Sequence, residues 1–199
     1  MLAYRSVSTL IAVDIALLPP ADIRARAVEI SAALPAAESH GLRLDDDHLP
    51  HITLTQLFIR SDEREAVFEK VDEVLRGRPP LHLTITGGGK GNHSVFMAVD
   101  PTPELRDLHD QLMGAVRGFE RPSGMPAAFL GGDARVGDVM WVSSYRLKSA
   151  FTSYTPHITL GHAEQPPAVA PMSFTATTVA ACHLGRFCTC RAILRSWTL

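Results

Sequence analysis

The stretch Pro50-His51-Ile52-Thr53-Leu54 recurs letter for letter as Pro156-His157-Ile158-Thr159-Leu160. The two copies lie 106 residues apart in a chain of 199 residues, which is far longer than the period of a solenoid repeat. We therefore expect two structurally equivalent lobes, each of which contributes one copy.

The copies have the composition of β-strands, in which successive side chains point to opposite faces. In the first copy, His51 and Thr53 share one face, and the two aliphatic residues between and after them share the other. The second copy presents His157 and Thr159 in the same way. Each strand is thus expected to bury two aliphatic side chains and to project an imidazole beside a hydroxyl.

Two such imidazoles across a cleft are suited to general acid–base catalysis. With an ordinary pKa of about 6.5, one can be the neutral base while the other is the protonated acid near neutral pH. The two hydroxyls can donate hydrogen bonds to the non-bridging oxygens of a phosphoryl group. A single His-x-Thr in a strand would be uninformative, but two copies in identical frames favour attack at a phosphodiester without a metal.

These twin His-x-Thr-x motifs resemble those of the two-histidine phosphoesterase superfamily, which includes the so-called 2′-5′ RNA ligases and the RNA 2′,3′-cyclic phosphodiesterases. The resemblance implies metal-independent hydrolysis of a 2′,3′-cyclic phosphate or a related phosphodiester. It implies that His51 and His157 are acid and base, for which we expect His51 as proton donor and His157 as proton acceptor, and that Thr53 and Thr159 bind the phosphate. The cyclic phosphodiesterase branch has a small residue and an arginine after its second motif, whereas this chain has Gly161 and His162 there.

Hydrophobic periodicity along the chain predicts mixed helices and strands without strict alternation, which is typical of the α+β class. The resemblance adds a bilobal, pseudo-twofold symmetric fold in which two largely antiparallel sheets flank a central cleft, with helices on the outside. We expect one bilobal domain over residues 1–199. The predicted strands are 7–15, 51–59, 81–85, 93–99, 139–145, 174–183 and 188–197, and the predicted helices are 23–34, 67–75 and 105–116.

Residues 119–153 have a weak pattern and are longer than the corresponding segment of many relatives. One interpretation is an insertion or a lid that carries Trp141, Tyr145, Arg146 or Lys148 over the cleft. The other is a surface segment whose aromatic residues only pack against the rest of the protein.

The composition restricts the partners. Nineteen Lys and Arg against 21 Asp and Glu give a net charge of −2, so a track for long nucleic acid is not expected, and the substrate is a small phosphodiester or an RNA terminus. Three cysteines favour a reducing compartment and hence the cytoplasm. The apolar run 7–18 is too short to span a membrane and contains Asp14. We expect a monomer without a cofactor.

Two other motifs in the sequence suggest functional sites of a different kind. The grouping of Cys182, His183, Cys188 and Cys190 invites a zinc site, but its spacing matches no standard knuckle and small hydrophobic residues on a sheet face explain it more simply. The glycine run around Lys90 lacks the Ser or Thr of a phosphate loop and predicts a hairpin turn. Two alternative functions stay open: a non-catalytic module that binds an RNA end or a nucleotide, and 2′-5′ RNA ligation.

Overall fold

The computed structural model describes residues 9–92 and 94–199. The predicted start of the first strand at Val7, and His93 in a later predicted strand, lie outside the described residues. The strands are β1 (Leu10–Leu18), β2 (Ile52–Arg60), β3 (Leu81–Lys90), β4 (Val95–Val99), β5 (His157–Gly161), β6 (Met172–Ala176), β7 (Thr178–Leu184) and β8 (Cys190–Thr198). The α-helices are α1 (Ala21–Ala33), α2 (Arg64–Leu75), α3 (Pro103–Ala115) and α4 (Val136–Lys148).

The strands form one curled sheet in the order β6-β3-β4-β5-β2-β1-β7-β8, and every neighbouring pair is antiparallel. The α+β class with antiparallel strands is therefore confirmed. We expected two sheets, but the eight strands form a single sheet, because β5 and β2 pair at its centre through Ile52↔Ile158. A pseudo-twofold symmetry between the halves stays a prediction.

The two faces of the sheet have different coverings. Helices α1, α2 and α3 pack their apolar sides on one face and complete the main hydrophobic core, to which Ile52 and Ile158 both belong. The opposite face of β1 and β7 is covered by residues from the segment 119–153, including Phe129 and Val142. The segment that was expected as an insertion or lid thus packs on the half of the sheet that carries the first motif. Its function as a lid stays a prediction.

One predicted strand is wrong: residues 139–145 lie within helix α4. Val142 and Tyr145 are three residues apart and both buried, which is the spacing of a helix face. The helix begins with a capping box in which the Asp138 carboxylate accepts the backbone N–H of Arg135. The β-branched residues had suggested a strand, but this cap and the helical spacing outweigh their propensity.

The predicted strand 174–183 is two strands in different places. The chain leaves β6, which pairs with β3 at one edge of the sheet, and after Thr177 enters β7, which pairs with β1. Such a short step between distant positions in the strand order is possible because the sheet is curled. Within the described residues, no helix combines the length and the apolar character needed to cross a membrane.

Candidate active site

The two motif strands lie side by side at the centre of the sheet. Ile52 and Ile158 oppose each other, and the aliphatic residues of both motifs are fully buried in the main core. The predicted alternation is therefore confirmed in both strands. Extending this antiparallel register by one residue sets the histidine of each motif opposite the threonine of the other.

Both imidazoles are held in the same way. His51 Nδ1 lies 2.7 Å from the carbonyl oxygen of Leu49, and His157 Nδ1 lies 2.7 Å from the carbonyl oxygen of Thr155. Because a carbonyl can only accept, Nδ1 carries the hydrogen in each ring. The neutral form of each histidine consequently presents Nε2 as a free base, and the protonated form presents Nε2–H as an acid.

The first motif is surrounded by a buried polar network centred on Asp14 of β1. The Asp14 side chain is fully buried, and its Oδ2 accepts hydrogen bonds from the Thr53 hydroxyl at 2.7 Å and from Gln56 Nε2 at 2.8 Å. His51 Nε2 lies 3.5 Å from the same oxygen. The carboxylate thus contacts both functional residues of the first motif.

A β-bulge brings Gln56 into this network. Ile15 pairs with Thr55 and Ala16 pairs with Thr53, so Leu54 is an extra residue in β2. Strict alternation would put residues 53 and 56 on opposite faces, but the extra residue returns both side chains to the face of Asp14. Sequence reasoning missed Gln56 for this reason.

The second motif has an aromatic neighbour in place of a carboxylate. The Phe96 ring of β4 lies 4.8 Å from the His157 ring, centroid to centroid. Phe96 has room because residue 89, opposite it in β3, is glycine: a Cβ there would lie 2.2 Å from the ring. The Thr159 hydroxyl makes no hydrogen bond within residues 9–92 and 94–199, so it is available to a ligand.

The two environments shift the pKa values of the ionisable groups. Burial raises the pKa of Asp14 to about 7, although the hydrogen bonds from Gln56 and Thr53 oppose this shift. Burial lowers the pKa of His51, and the hydrogen bond to the Leu49 carbonyl acts in the other direction. Burial also lowers the pKa of His157, and the charge of the neighbouring His51 lowers it further.

Tyr154 and His109 form hydrogen bonds to the backbone of the first motif. The Tyr154 hydroxyl donates to the Thr53 carbonyl oxygen at 3.0 Å, and its ring is stacked on the buried His109 ring with centroids 3.9 Å apart. His109 Nδ1 donates to the carbonyl oxygen of Leu54. His109 is therefore a packed histidine that fixes the backbone of β2 at its bulge.

Several residues that the sequence singled out have other partners. In the segment 119–153, Tyr145 is buried and the Arg146 guanidinium binds the Glu120 carboxylate. Lys90 ends β3, where the glycine run continues the strand beyond the predicted turn, and it donates to the carbonyl oxygen of Glu164. His162 lines, with Lys90, a cavity of about 570 Å³ whose lining contains no motif residue.

The cysteines are not arranged as the zinc hypothesis required. Cys182 and Cys190 are buried in the hydrophobic cluster on the Asp14 face, as expected for small hydrophobic residues, whereas His183 Nε2 donates to the carbonyl oxygen of Ala128. Among the described residues, the group that could hold a metal ion is a different one: Asp14, His51 and Cys190, with one ligand atom from each residue within 4.8 Å of the others.

Comparison with known proteins identifies the family. The model of the 2′-5′ RNA ligase superfamily matches residues 19–181, a span that includes both motifs. The chain belongs to the 2′-5′ RNA ligase superfamily. The expected resemblance is thereby confirmed. Asp14 and Cys190 lie outside the matched span. No match was found among curated protein sequences.

Solved structures of LigT-like proteins have the same fold. E. coli LigT in apo form is 19% identical with a TM-score of 0.62, covering 96% of this chain and 99% of LigT. E. coli LigT complexed with 3′-AMP is 20% identical with a TM-score of 0.62, covering 96% of this chain and 98% of LigT. TT0787 of Thermus thermophilus is 18% identical with a TM-score of 0.62, covering 95% of this chain and 98% of TT0787.

Proposed function

We propose that this member of the superfamily is a metal-independent phosphodiesterase that hydrolyses a 2′,3′-cyclic phosphate or a related phosphodiester, at an RNA terminus or in a small nucleotide. The observation that carries the proposal is the matched presentation of His51 and His157. Adjacent strands hold both rings by Nδ1 and leave both Nε2 atoms for proton transfer. Two such groups supply both proton transfers of the reaction, so it needs no metal.

The surroundings of the two rings favour different roles for them. His51 Nε2 lies 3.5 Å from the buried Asp14 carboxyl, whose pKa is about 7. The ionised form of Asp14 at this distance stabilises the imidazolium form of His51. Burial lowers the pKa of both histidines, and His157 has no such carboxylate in contact within the described part of the chain. His51 is therefore the proton donor and His157 is the base.

In the proposed reaction, His157 Nε2 takes a proton from water as the water oxygen forms a bond to phosphorus. The bond from phosphorus to the ribose oxygen breaks, and His51 Nε2–H gives its proton to the departing oxygen. The products are a phosphomonoester and a free ribose hydroxyl. The proton that His157 gained and the one that His51 lost are restored through solvent, so the enzyme is unchanged.

The two threonines are proposed to contact the phosphoryl oxygens, but they start from different states. The Thr159 hydroxyl can donate directly, because it has no partner in residues 9–92 and 94–199. The Thr53 hydroxyl donates to Asp14 and must turn from the carboxylate to reach a phosphoryl oxygen. Thr53 therefore connects substrate binding to the protonation state of Asp14.

The relatives support a small substrate. The solved complexes of E. coli LigT contain 3′-AMP, ATP, NADP+ or phosphate. The present chain has a net charge of −2, which also favours a terminal or small phosphodiester over a long nucleic acid.

The test is turnover of a panel of nucleoside 2′,3′-cyclic monophosphates and 2′-5′-linked dinucleotides in the presence of EDTA. We expect turnover by the wild-type protein and a loss of about 10²–10⁴-fold in His51→Ala and in His157→Ala. His82→Ala is the matched control, because His82 is an exposed histidine on β3 and should not affect the rate. Unchanged turnover in either motif variant would contradict the proposal. Binding without turnover by the wild type would favour the binding-module alternative, and joining of RNA ends would favour ligation.

A further inference from the structure

A second feature of the site involves a residue that the proposed reaction does not use. Cys190, at the start of β8, offers a ligand atom that lies within 4.8 Å of those of Asp14 and His51. Asp14 and Cys190 are fully buried, and the His51 side chain is 11% exposed. A carboxylate, an imidazole and a thiol thus converge at the inner end of the active site.

The backbone holds these three residues together. The N–H of Leu49 donates to the carbonyl oxygen of Cys190 at 2.9 Å, and the carbonyl oxygen of Leu49 accepts from His51 Nδ1. One residue therefore ties the start of β8 to the catalytic ring. On the other side, Asp14 is positioned by β1, which lies between the first motif strand and β7.

Asp14 also has an unsatisfied atom. Its Oδ1 is buried and has no hydrogen-bond partner within residues 9–92 and 94–199, whereas Oδ2 accepts two hydrogen bonds. A buried acceptor without a partner destabilises the fold, and a cation in contact with the carboxylate would remove that cost. This is an independent indication that the cluster accommodates a positively charged ligand.

The supporting hydrogen bonds are those of a metal site. Histidine ligands of metals commonly donate their second ring N–H to a carbonyl, and carboxylate ligands are themselves hydrogen-bonded. His51 Nδ1 donates to Leu49, and Asp14 Oδ2 accepts from Thr53 and Gln56. His51 Nε2 is consequently the ring nitrogen available to a metal.

We infer that Asp14, His51 and Cys190 form a binding site for Zn²⁺. Nitrogen, oxygen and thiolate sulfur are the donor atoms that zinc prefers, and three protein ligands leave a fourth tetrahedral position for water. With zinc–ligand bonds of about 2.0–2.3 Å, tetrahedral ligand atoms lie about 3.5 Å apart. The widest pair in the cluster must therefore close by roughly 1 Å. The Cys190 thiol releases its proton to solvent as the bond from sulfur to zinc forms.

Zinc at this site would inhibit the enzyme, a consequence that rests on the proposed function. The zinc bond occupies the Nε2 lone pair of His51, so this ring can no longer carry the proton for the departing oxygen. The site would therefore make the phosphodiesterase sensitive to zinc although its reaction needs no metal.

The experiment begins with binding, which is measured independently of turnover. The 199-residue chain without an affinity tag is stripped with EDTA, desalted and titrated with ZnCl₂ against a competing chelator; Co²⁺ is then substituted. We expect one tight equivalent of Zn²⁺ and a thiolate-to-cobalt charge-transfer band. Cys190→Ser should weaken binding at least tenfold and remove the band. Cys188→Ser is the matched control, because Cys188 is a neighbouring cysteine outside the cluster. It should bind as the wild type does.

Asp14→Asn serves as a second variant should the buried Cys190→Ser chain fail to fold, and it should also lose at least tenfold in affinity. Binding that is unchanged in the folded variants, as surface histidines would give, overturns the site. The activity arm compares each protein with and without one equivalent of Zn²⁺, and we expect at least tenfold inhibition of the wild type and of Cys188→Ser. An active protein that binds no zinc refutes the metal site alone. A protein that binds one zinc through Cys190 but has no turnover in EDTA refutes the proposed function alone.

Discussion

The two motif copies share five residues, one strand geometry and one imidazole tautomer, yet they differ in their neighbours. The first copy pairs with β1, which places the buried Asp14 against Thr53 and 3.5 Å from His51. The second copy pairs with β4, which places the Phe96 ring against His157. The repeated pentapeptide thus supplies two imidazoles that are held alike, and the adjacent strand gives each of them different neighbours.

This difference is the basis of the proposed acid and base, since the motifs themselves are identical. Burial favours the neutral form of both imidazoles, whereas the carboxylate beside His51 favours the imidazolium form of that ring. The same division of roles between like groups by environment is a recurring solution in enzymes that need an acid and a base at one pH. The following variants test the assignment, in order of decreasing expected effect.

The largest effect is expected when the leaving group is changed in the two histidine variants. A phosphodiester with a p-nitrophenolate leaving group departs without protonation, so it does not need the acid. His51→Ala should recover about 10²–10³-fold relative to its activity on a cyclic phosphate, and His157→Ala should not. The ratio of the two rates, each normalised to the wild type, is the measurement. Recovery in His157→Ala and not in His51→Ala would reverse the assignment.

The next effect concerns the stability of the folded chain. The pKa of Asp14 is about 7 in the fold against 3.8 as its ordinary value, so the folded state binds the proton more tightly than the unfolded state. The contribution of this group to the free energy of unfolding is therefore lost as the pH rises from about 4 to 7. Asn at this position does not titrate. As the pH rises from 5 to 8, the free energy of unfolding of Asp14→Asn should therefore increase by about 3 kcal/mol relative to that of the wild type. Urea unfolding at both pH values measures this, and parallel changes in the two proteins would show that Asp14 is not buried.

Removal of the threonine hydroxyls is expected to have a smaller effect on kcat/KM. Thr159→Val removes a free donor to the phosphate and should reduce kcat/KM about tenfold with no change in the shape of the pH profile. Thr53→Val removes a donor to Asp14, so it should reduce the rate and also move one limb of the profile. The measurement is kcat/KM from pH 5 to pH 9 for both variants. Identical profiles would show that the two hydroxyls are equivalent despite their surroundings.

The sequence was sufficient for the motif strands but not for their environment. The repeat singled out His51 and His157 as the proposed site, and the period of two predicted which aliphatic residues are buried. Gln56 could not be predicted, because a bulge of one residue reverses its face, and bulges have no reliable sequence signature. Phe96 is distant in sequence, and only the pairing of β4 with β5 brings it to His157.

The rest of the fold shows the same division between local and long-range information. Helices with a clear stripe, such as α1 and α3, were predicted to within a few residues because their apolar spacing is local. The helix α4 was mistaken for a strand, since its buried residues are few and its start depends on a cap. That β6 and β7 lie six places apart in one curled sheet is a long-range property with no local pattern.

The most direct test of the account is the pH dependence of kcat/KM for the wild type and Asp14→Asn, measured in EDTA. In the wild type, the acid limb is expected to report protonation of His157, and the alkaline limb the loss of the proton of His51. Removing the carboxylate removes the group that stabilises the His51 imidazolium. We expect the alkaline limb to move to lower pH by about one unit while the acid limb stays in place. Limbs that both stay in place, or a shift confined to the acid limb, would contradict it.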